Sequence, residues 1–394
     1  MTEALLLVGV AVALFVGYNI GGSNTGPAFG PAVGSGALTK TTAAALMTLF
    51  FFAGGWTIGR RVVDTLGEEL VTDPGVFTLP ASITVLFFIG LALFIGNFFG
   101  VPASTSMTAV GAIAGLGLAS GTLDWAVMGE IVSWWLVAPI IGFWVSAVIG
   151  RYFYPALNRR IALVQSDGPL VTVDREGAVP TVETGPGTTR RELAGTSIVV
   201  GIGCIMAFSA GTSNVANAVA PLVGSGEISM NVGILLACFA VGVGAFTIAR
   251  RTLDTLGSDI TSLPLTAAIV VATVSSLIVT ALSAIKIPAS FVVIATMSII
   301  GLGWGRATRT VRASRSSITE QAGDTRMSVG ALAADTEGEE IPDMGEEDPG
   351  DIPAADDLFN PGTTARVLVL QNLVPTISTI GAYLVFRFVP FFGF

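Results

Sequence analysis

The chain contains no histidine, only two lysines and only two cysteines in its 394 residues. Without histidine, the protein has no imidazole for general acid–base catalysis, for a metal site or for a proton relay. A serine–lysine nucleophile pair would have to use Lys40 or Lys286, and neither lysine has a convincing serine partner in the sequence. We therefore expect no enzymatic activity, no catalytic residue, no metal site and no cofactor.

Charge is scarce as well, because charged residues make up 12% of the chain, whereas apolar residues make up 52% and the mean hydropathy is +0.76. This composition excludes an ordinary soluble domain and indicates a membrane protein. Apolar stretches of about 20 residues, the length that crosses a bilayer, recur along the chain. The clear ones are 4–20, 41–58, 80–100, 125–149, 194–210, 229–249, 263–286 and 364–392. We expect a multi-pass protein of the cell (plasma) membrane, surrounded by membrane lipids and without a nucleic-acid partner.

The remaining charges are concentrated outside these stretches. Residues 335–357 contain 11 acidic side chains and no basic one, a composition that cannot bury enough apolar surface to fold. We interpret 305–362 as a disordered acidic loop before the last span, with a regulatory loop as the alternative. Arginines cluster after residue 150 and after residue 305, which favours a cytoplasmic position for both long loops.

One segment occurs twice, 190 residues apart. Between residues 21 and 67, an ungapped offset of 190 matches 19 of 47 residues. The sequence Gly21-Gly22-Ser23-Asn24 returns as Gly211-Thr212-Ser213-Asn214, and both copies lie in apolar sequence. Two copies of a helical bundle, each with a small polar interruption in a hydrophobic span, are typical of secondary transporters built from inverted repeats. We expect the substrate to bind at these interruptions.

The interruptions predict broken helices. The run Ser23-Asn24-Thr25-Gly26-Pro27 places small polar side chains and a proline inside an apolar stretch, and Ser213, Asn214 and Asn217 do the same in the second copy. Irregular backbone survives in hydrocarbon only where it faces protein, water or a ligand. The free N–H groups and the dipole of a helix that restarts there form an anion site. Close packing of helices through small residues is the alternative; the placement in both copies favours a binding site.

A second pair of interruptions follows, at Val101–Ser106 and Ile287–Ser290, with an offset of 186. A proline and then a serine before a new apolar run marks a helix start that the serine caps. We therefore expect four half-helix N-termini to converge near the bilayer midplane. The candidate substrate-binding residues are Ser23, Asn24, Thr25, Ser104, Thr105, Ser106, Ser213, Asn214, Asn217 and Ser290.

Five charged residues in or near the spans are candidates for ion coupling or for ion pairs. Arg60 and Asp64 recur as Arg250 and Asp254, at the spacing of a helical ion pair. Such a pair can stabilise the membrane boundary, and it can also attract an anion or couple its movement to a cation. Glu130, just before two tryptophans, fits a proton site and an interfacial position equally well.

These residues resemble the paired signature of the inorganic phosphate transporter (PiT) family, a Gly-x-Asn-Asp-x-x-Asn motif near the start of each half. The segments 21–36 and 208–223 follow the two motif copies. The interruptions at Pro102–Ser106 and Pro288–Ser290 are similar to the family's Pro-x-Ser-x-Thr-His segments. The resemblance covers nearly the whole chain apart from the two long polar loops.

The resemblance implies cation-coupled uptake of inorganic phosphate by two inverted repeats, in a protein that usually forms homodimers. The chain departs from the motif, because the family's Asp is Asn24 in one copy and Asn214 in the other. The motif's last Asn is Pro27 in the first copy and is kept as Asn217 in the second. Sodium prefers anionic oxygens, although neutral oxygens can also hold it, so both Na⁺ and H⁺ stand as candidates for the co-transported ion.

From these features we predict an all-α polytopic membrane protein with two inverted-topology repeats, whose broken helices meet near the midplane. We expect cation-coupled symport of phosphate by alternating access, with a proton-coupled permease for sulfate or another oxyanion as the alternative and an anion channel as a weaker one. The predicted organisation is 1–150, first transmembrane repeat; 151–192, polar cytoplasmic loop; 193–304, core of the second repeat; 305–362, disordered acidic loop; and 363–394, last helix of the second repeat.

Overall fold

The computed structural model of the protein describes residues 2–34, 37–98, 104–161, 171–174, 181–184, 190–259, 265–308, 361–389 and 392. Its α-helices are α1 (Thr2–Gly34), α2 (Lys40–Gly54), α3 (Arg60–Asp64), α4 (Leu79–Phe98), α5 (Thr105–Ser120), α6 (Trp125–Val148), α7 (Tyr154–Ile161), α8 (Arg190–Gly224), α9 (Met230–Asp259), α10 (Leu265–Ala284), α11 (Phe291–Ala307) and α12 (Pro361–Phe388). Helical turns of the π type continue α2, α3 and α6, at Gly55–Gly59, Thr65–Glu69 and Ile149–Phe153, and a 3-10 turn spans Pro74–Val76. Two antiparallel strands, β1 (Val171–Asp174) and β2 (Thr181–Thr184), lie in the polar loop before α8.

The body of the protein consists of membrane-length helices. Within the described residues, seven helical stretches are long and apolar enough to cross a bilayer, and α5 and α11 are shorter apolar helices. This confirms the prediction of a multi-pass membrane protein with an all-α body, since the two short strands lie in the polar loop before α8. Most of the predicted acidic loop, residues 309–360, lies outside the described residues.

Helices α4 and α5 form a hairpin, here called the first hairpin. Val71, which precedes α4, forms an antiparallel bridge with Leu123, which follows α5. The N–H of Thr72 donates to the C=O of Thr122 over 2.7 Å in the same bridge. The chain therefore leaves α5 on the side of the membrane where it entered α4, and the first hairpin adds no net crossing.

Helices α10 and α11 form the second hairpin, and both of its outer ends adjoin α7. Thr266, at the start of α10, donates from Oγ1 to Asn158 Oδ1 over 2.7 Å. At the end of α11, the guanidinium of Arg306 lies 4.3 Å from the ring centre of Tyr154. The tip of this hairpin is residues 285–290, of which Ile285 and Lys286 are exposed and 287–290 are buried.

The two repeats run in opposite directions. Counted from the start, α1, the α2–α3 unit and the α6–α7 unit are three crossings, and both ends of the first hairpin are on one side. Helix α8, the equivalent of α1, therefore crosses the membrane in the opposite sense to α1. The two repeats therefore have opposite orientations in the membrane.

Glycine contacts show that the relation is a two-fold rotation. A Cβ atom on Gly21 of α1 would overlap the backbone carbonyl of Val241 in α9, and one on Gly211 of α8 would overlap the carbonyl of Phe51 in α2. The two contacts are equivalent, because residue 21 plus the repeat offset of 190 is residue 211, and residue 241 minus the same offset is residue 51. Such reciprocal exchange is the mark of a two-fold axis.

A second set of contacts obeys the same rule. Gly54 meets the carbonyl of Phe208, and Gly244 meets the carbonyl of Tyr18. All four contacts are between backbones, which only glycine permits at this separation. Together with the opposite directions of α1 and α8, they confirm the inverted-topology repeats.

One part of the prediction is wrong: α1 and α8 are not broken at the repeated Ser-Asn. Helix α1 continues through Ser23–Pro27 to Gly34, and α8 continues through Ser213 and Asn214. The polar side chains bond their own helix, since Asn24 Nδ2 donates to the C=O of Ile20 over 2.8 Å, and this satisfies them without a break. Pro27 removes only one helical hydrogen bond.

The breaks predicted at the second pair of interruptions are confirmed. Helix α5 begins at Thr105, with Ser104 as its N-cap, and α11 begins at Phe291, with Ser290 as its N-cap. The sequence predicts four half-helix N-termini, and the described structure has two of them, at the starts of α5 and α11.

We expect Gly211→Ala to lower the free energy of unfolding by about 1–3 kcal/mol, because the added methyl group overlaps a backbone carbonyl that has no room to move. Gly201→Ala, in the same helix, is the matched control, since nothing lies within 4 Å of its new Cβ. Alanine stabilises a helix relative to glycine by about 1 kcal/mol, so the control should be neutral or more stable. The melting temperatures of both variants in one detergent measure the difference, and equal values would contradict the close contact.

Candidate functional site

The two hairpins meet at Ser213 of α8. Ser213 Oγ donates to the C=O of Ala289 in the second hairpin tip over 2.9 Å, and it lies 3.0 Å from Ser106 Oγ in the first turn of α5. The N–H of Ala289 donates back to Ser213 Oγ over 3.2 Å. One serine of the repeated motif thus joins the tip of one hairpin to the broken helix of the other.

The starts of α5 and α11 are capped by serines. Ser104 Oγ accepts from the N–H of Met107 over 3.3 Å, and Ser290 Oγ accepts from the N–H of Val293 over 3.3 Å. The N–H groups that precede the first intrahelical hydrogen bond stay directed out of each helix start, where the positive end of the helix dipole lies. Both helices therefore present donors at the hairpin junction.

Six of the ten predicted substrate-binding residues are joined by hydrogen bonds around Asn214 and Ser213, and we call this group the central polar cluster. Thr105 Oγ1 donates to Asn214 Oδ1 over 2.6 Å, and Asn217 Nδ2 donates to the same oxygen over 3.1 Å. Asn217 Nδ2 also lies 3.5 Å from Ser106 Oγ. The members of the cluster are Asn24, Thr105, Ser106, Ser213, Asn214 and Asn217.

The cluster lies on the two-fold axis. Asn214 Nδ2 donates to Asn24 Oδ1 at 3.5 Å, and these two residues are equivalent positions of the repeats. A residue can touch its own symmetry equivalent only beside the axis. The repeated motif therefore supplies both halves of a single site.

The cluster is buried and uncharged. Ser106 and Asn217 have no exposed surface and Asn214 is 4% exposed, whereas Asn24 is half-buried. Among the described residues, no charged side chain takes part in its hydrogen bonds. The site can thus supply many hydroxyl and amide groups to a ligand, without a fixed countercharge.

The other predicted site residues stand beside the cluster. Ser23 Oγ donates to the C=O of Ile20 over 3.1 Å and accepts from Asn24 Nδ2 at 3.4 Å, and Thr25 Oγ1 donates to the C=O of Gly21 over 2.8 Å. Ser104 and Ser290 serve as helix caps. These four side chains shape the helices that carry the cluster.

Arg60 and Asp64 do not form the predicted helical ion pair. Arg60 donates to Asn231 Oδ1 over 2.6 Å and to the C=O of Trp56, and its guanidinium lies 4.4 Å from the Trp56 ring centre. Both residues are on α3, which is outside the central polar cluster. The contact with Asn231 connects α3 to α9 of the second repeat.

The remaining charged candidates are not at the cluster either. Glu130 is exposed on α6. Arg250 and Asp254 are on α9, and their side chains lie outside the described part of the structure. Their role in coupling stays a prediction.

The sequence pattern missed one charged contact, here called the latch. Lys286 Nζ forms an ion pair with Glu69 over 2.6 Å, Thr65 Oγ1 donates to the C=O of Lys286 over 2.9 Å, and Arg61 donates to the C=O of Ala284. These contacts fasten the end of α10 and the second hairpin tip to α3 and to the helical turn that follows it. The sequence signal was present, since Lys286 is one of two lysines and precedes the break at Pro288.

Known proteins similar to this chain are anion permeases. A sulfate permease of Bacillus subtilis (strain 168) is 30% identical over 301 residues, which cover 76% of this chain and 77% of that protein. A putative phosphate permease of Chlamydia trachomatis serovar D is 27% identical over 400 aligned positions, which cover 78% of this chain and 91% of that protein. Among solved structures, one described as the sodium-dependent phosphate transporter is similar, with a TM-score of 0.65, 17% identity and coverage of 98% of both chains. At this identity, the likeness shows the fold.

The family comparison covers the functional core. The sequence model described as the phosphate transporter family matches residues 20–320, a span that includes both motif copies and both hairpins. This is more than half of the chain. The protein therefore belongs to the phosphate transporter family.

Proposed function

We propose that the protein is a secondary active transporter that takes up inorganic phosphate together with a cation, by alternating access. The observation that carries the proposal is the central polar cluster, at which both repeats and both hairpins meet on the two-fold axis. Membership of the phosphate transporter family supports phosphate as the substrate. The homodimer that the family resemblance implies stays a prediction.

The cluster has the donors that an oxyanion requires. The hydroxyls of Thr105, Ser106 and Ser213 now bond neighbouring groups, and a hydroxyl hydrogen can rotate toward a better acceptor. A phosphate between these residues would exchange such bonds for shorter, charge-assisted ones. The starts of α5 and α11 add backbone N–H groups and the positive ends of two helix dipoles.

The absence of charged side chains from the cluster bears on ion coupling. An isolated ion costs on the order of tens of kcal/mol to transfer into an apolar medium, and two helix dipoles offset only part of this cost. A cation that accompanies the anion supplies the missing positive charge. Sodium would have to use neutral oxygens such as the C=O of Ala289 or the Asn24 side chain, and a proton could travel on the phosphate itself.

A specific observation favours sulfate, with proton coupling, as a second candidate substrate. Asn24 and Asn214 replace the two aspartates of the family motif, so the cluster lacks the carboxylates that would repel a dianion. A similar protein is named a sulfate permease. A channel would use the same half-helix architecture, but it would not accumulate the anion.

Uptake of radiolabelled phosphate and sulfate into proteoliposomes, with Na⁺ and H⁺ gradients imposed separately, tests this function. We expect saturable accumulation of phosphate driven by one of the two cation gradients. Sulfate accumulation without phosphate uptake would replace the first candidate with the second. Anion conductance without accumulation would indicate a channel.

We expect Asn24→Ala and Asn214→Ala each to weaken the apparent affinity for phosphate about ten- to hundred-fold, or by about 1.5–3 kcal/mol, because each removes a polar partner of a charged ligand. Asn158→Ala is the matched control, since Asn158 bonds Thr266 at the outer end of the second hairpin. The phosphate concentration dependence of uptake gives the affinities. Unchanged affinity in both cluster variants would show that these asparagines only pack.

The double variant Asn24→Asp, Asn214→Asp tests the role of the missing carboxylates. Two acidic side chains beside the axis should either create a stronger Na⁺ dependence or weaken anion binding by repulsion. Uptake at graded Na⁺ concentrations, compared with the parent, separates these results. If ion dependence and affinity both match those of the parent, the two positions lie outside the transport site.

A further inference from the structure

Asn217 carries a buried acceptor without a partner. Its side chain has no exposed surface, and its Nδ2 donates to Asn214 Oδ1 over 3.1 Å and to Ser106 Oγ over 3.5 Å. Its Oδ1 has no hydrogen-bond partner among the described residues. A buried acceptor left unpaired is costly and uncommon, so this oxygen requires an explanation.

The direction of the amide is fixed by a chain of hydrogen bonds that starts at the backbone. The C=O of Ile20 can only accept, and it holds the Nδ2 of Asn24 over 2.8 Å. Asn24 Oδ1 therefore faces the Nδ2 of Asn214, and Asn214 Oδ1 faces the Nδ2 of Asn217. At the end of this chain, Asn217 Oδ1 is the acceptor left over.

Reversing the Asn217 amide would not remove the problem. Its oxygen would then face Asn214 Oδ1, an acceptor that already receives the Thr105 hydroxyl over 2.6 Å. Two amide oxygens would oppose each other in a buried site, and such a contact is repulsive. The free oxygen is therefore a consequence of the whole amide chain and not of one side chain.

A group that bonds this oxygen must be a donor. Hydrogen phosphate and hydrogen arsenate are tetrahedral oxyanions that keep an O–H group at neutral pH, whereas sulfate and selenate have only acceptor oxygens. A buried group aimed at a substrate O–H discriminates strongly against an analogue that lacks it, because the group then stays unpaired.

From this geometry we infer that Asn217 Oδ1 accepts a hydrogen bond from the protonated oxygen of the substrate, and that it selects protonated tetrahedral oxyanions over unprotonated ones. The inference rests on the proposed transport of phosphate and names the residue that distinguishes it from sulfate. The repeat-equivalent of Asn217 is Pro27, which has no side-chain acceptor. The two-fold site thus has one acceptor end, which orients the O–H of the substrate toward the second repeat.

Competition against labelled phosphate uptake in proteoliposomes tests the inference. The inhibition constants of phosphate, arsenate, sulfate and selenate are measured for the parent, for Asn217→Leu and for Asn217→Asp, with Asn158→Ala as the control for folding and insertion. Leucine keeps the approximate shape of asparagine without an acceptor. Aspartate keeps an acceptor and removes the donor.

In the parent, we expect phosphate and arsenate to bind at least about tenfold more tightly than sulfate and selenate, the discrimination of a hydrogen bond to a charged ligand. Asn217→Leu should bring the ratio of the affinity for protonated oxyanions to the affinity for unprotonated oxyanions close to one. Asn217→Asp should keep or raise that ratio, although repulsion by the new carboxylate weakens the binding of all four anions. The affinity for arsenate should change as that for phosphate does, and the affinity for selenate as that for sulfate does, because the protonation of the anion and not its size determines the selection.

Two results would overturn the inference while leaving phosphate transport intact. In one, Asn217→Leu weakens the binding of all four anions by the same factor. In the other, Asn217→Leu changes the Na⁺ dependence of uptake and leaves the ratio of the affinities for protonated and unprotonated oxyanions unchanged. If Asn217→Leu does not insert, a loss of the phosphate preference in Asn217→Asp overturns it. A parent that takes up sulfate but neither phosphate nor arsenate would instead refute the proposed substrate, and the selection by Asn217 with it.

Discussion

Direct contact between backbones joins the two repeats, and the site depends on it. Between lipid-exposed helices there is little hydrophobic driving force, so association depends on van der Waals packing at short range. The contacts of Gly21 with Val241 and of Gly211 with Phe51 bring the helices of opposite repeats together without side chains between them. Asn24 and Asn214 are one helical turn further along, and at this separation their short amides can reach each other across the axis.

Asn24 and Asn214, in place of the two aspartates of the family motif, make the centre of the site neutral. Two carboxylates at the positions of Asn24 and Asn214 would face each other across the axis in a buried region, where like charges repel strongly. Amides at these positions have a donor end and an acceptor end, so they can form a directional chain. The chain begins at the backbone carbonyl of Ile20 and ends at Asn217. Residues that are equivalent in the two repeats therefore form a chain of hydrogen bonds that has a direction.

The sequence predicted much of this arrangement, because repetition carries long-range information. An offset of 190 residues placed Asn24 opposite Asn214, and Pro-Ser spacing located the starts of α5 and α11. The continuity of α1 through Pro27 could not be predicted, because it depends on side chains that bond their own helix and on the packing of α9 against it. The direction of each amide also has no signal in the sequence, since it is set by the carbonyl to which the chain of hydrogen bonds is anchored.

The latch gives the repeats unequal roles. Lys286 of the second hairpin pairs with Glu69, but the equivalent positions are Gly100, at an offset of 186, and Asp259, at an offset of 190. Glycine has no side chain, so the symmetry-equivalent ion pair cannot form. In inverted-repeat transporters the two access states arise when the repeats exchange conformations, and two identical repeats would make these states equal in free energy. A pair that can fasten only one hairpin removes this equality, so under the proposed alternating access the two access states of the unloaded protein would differ in free energy.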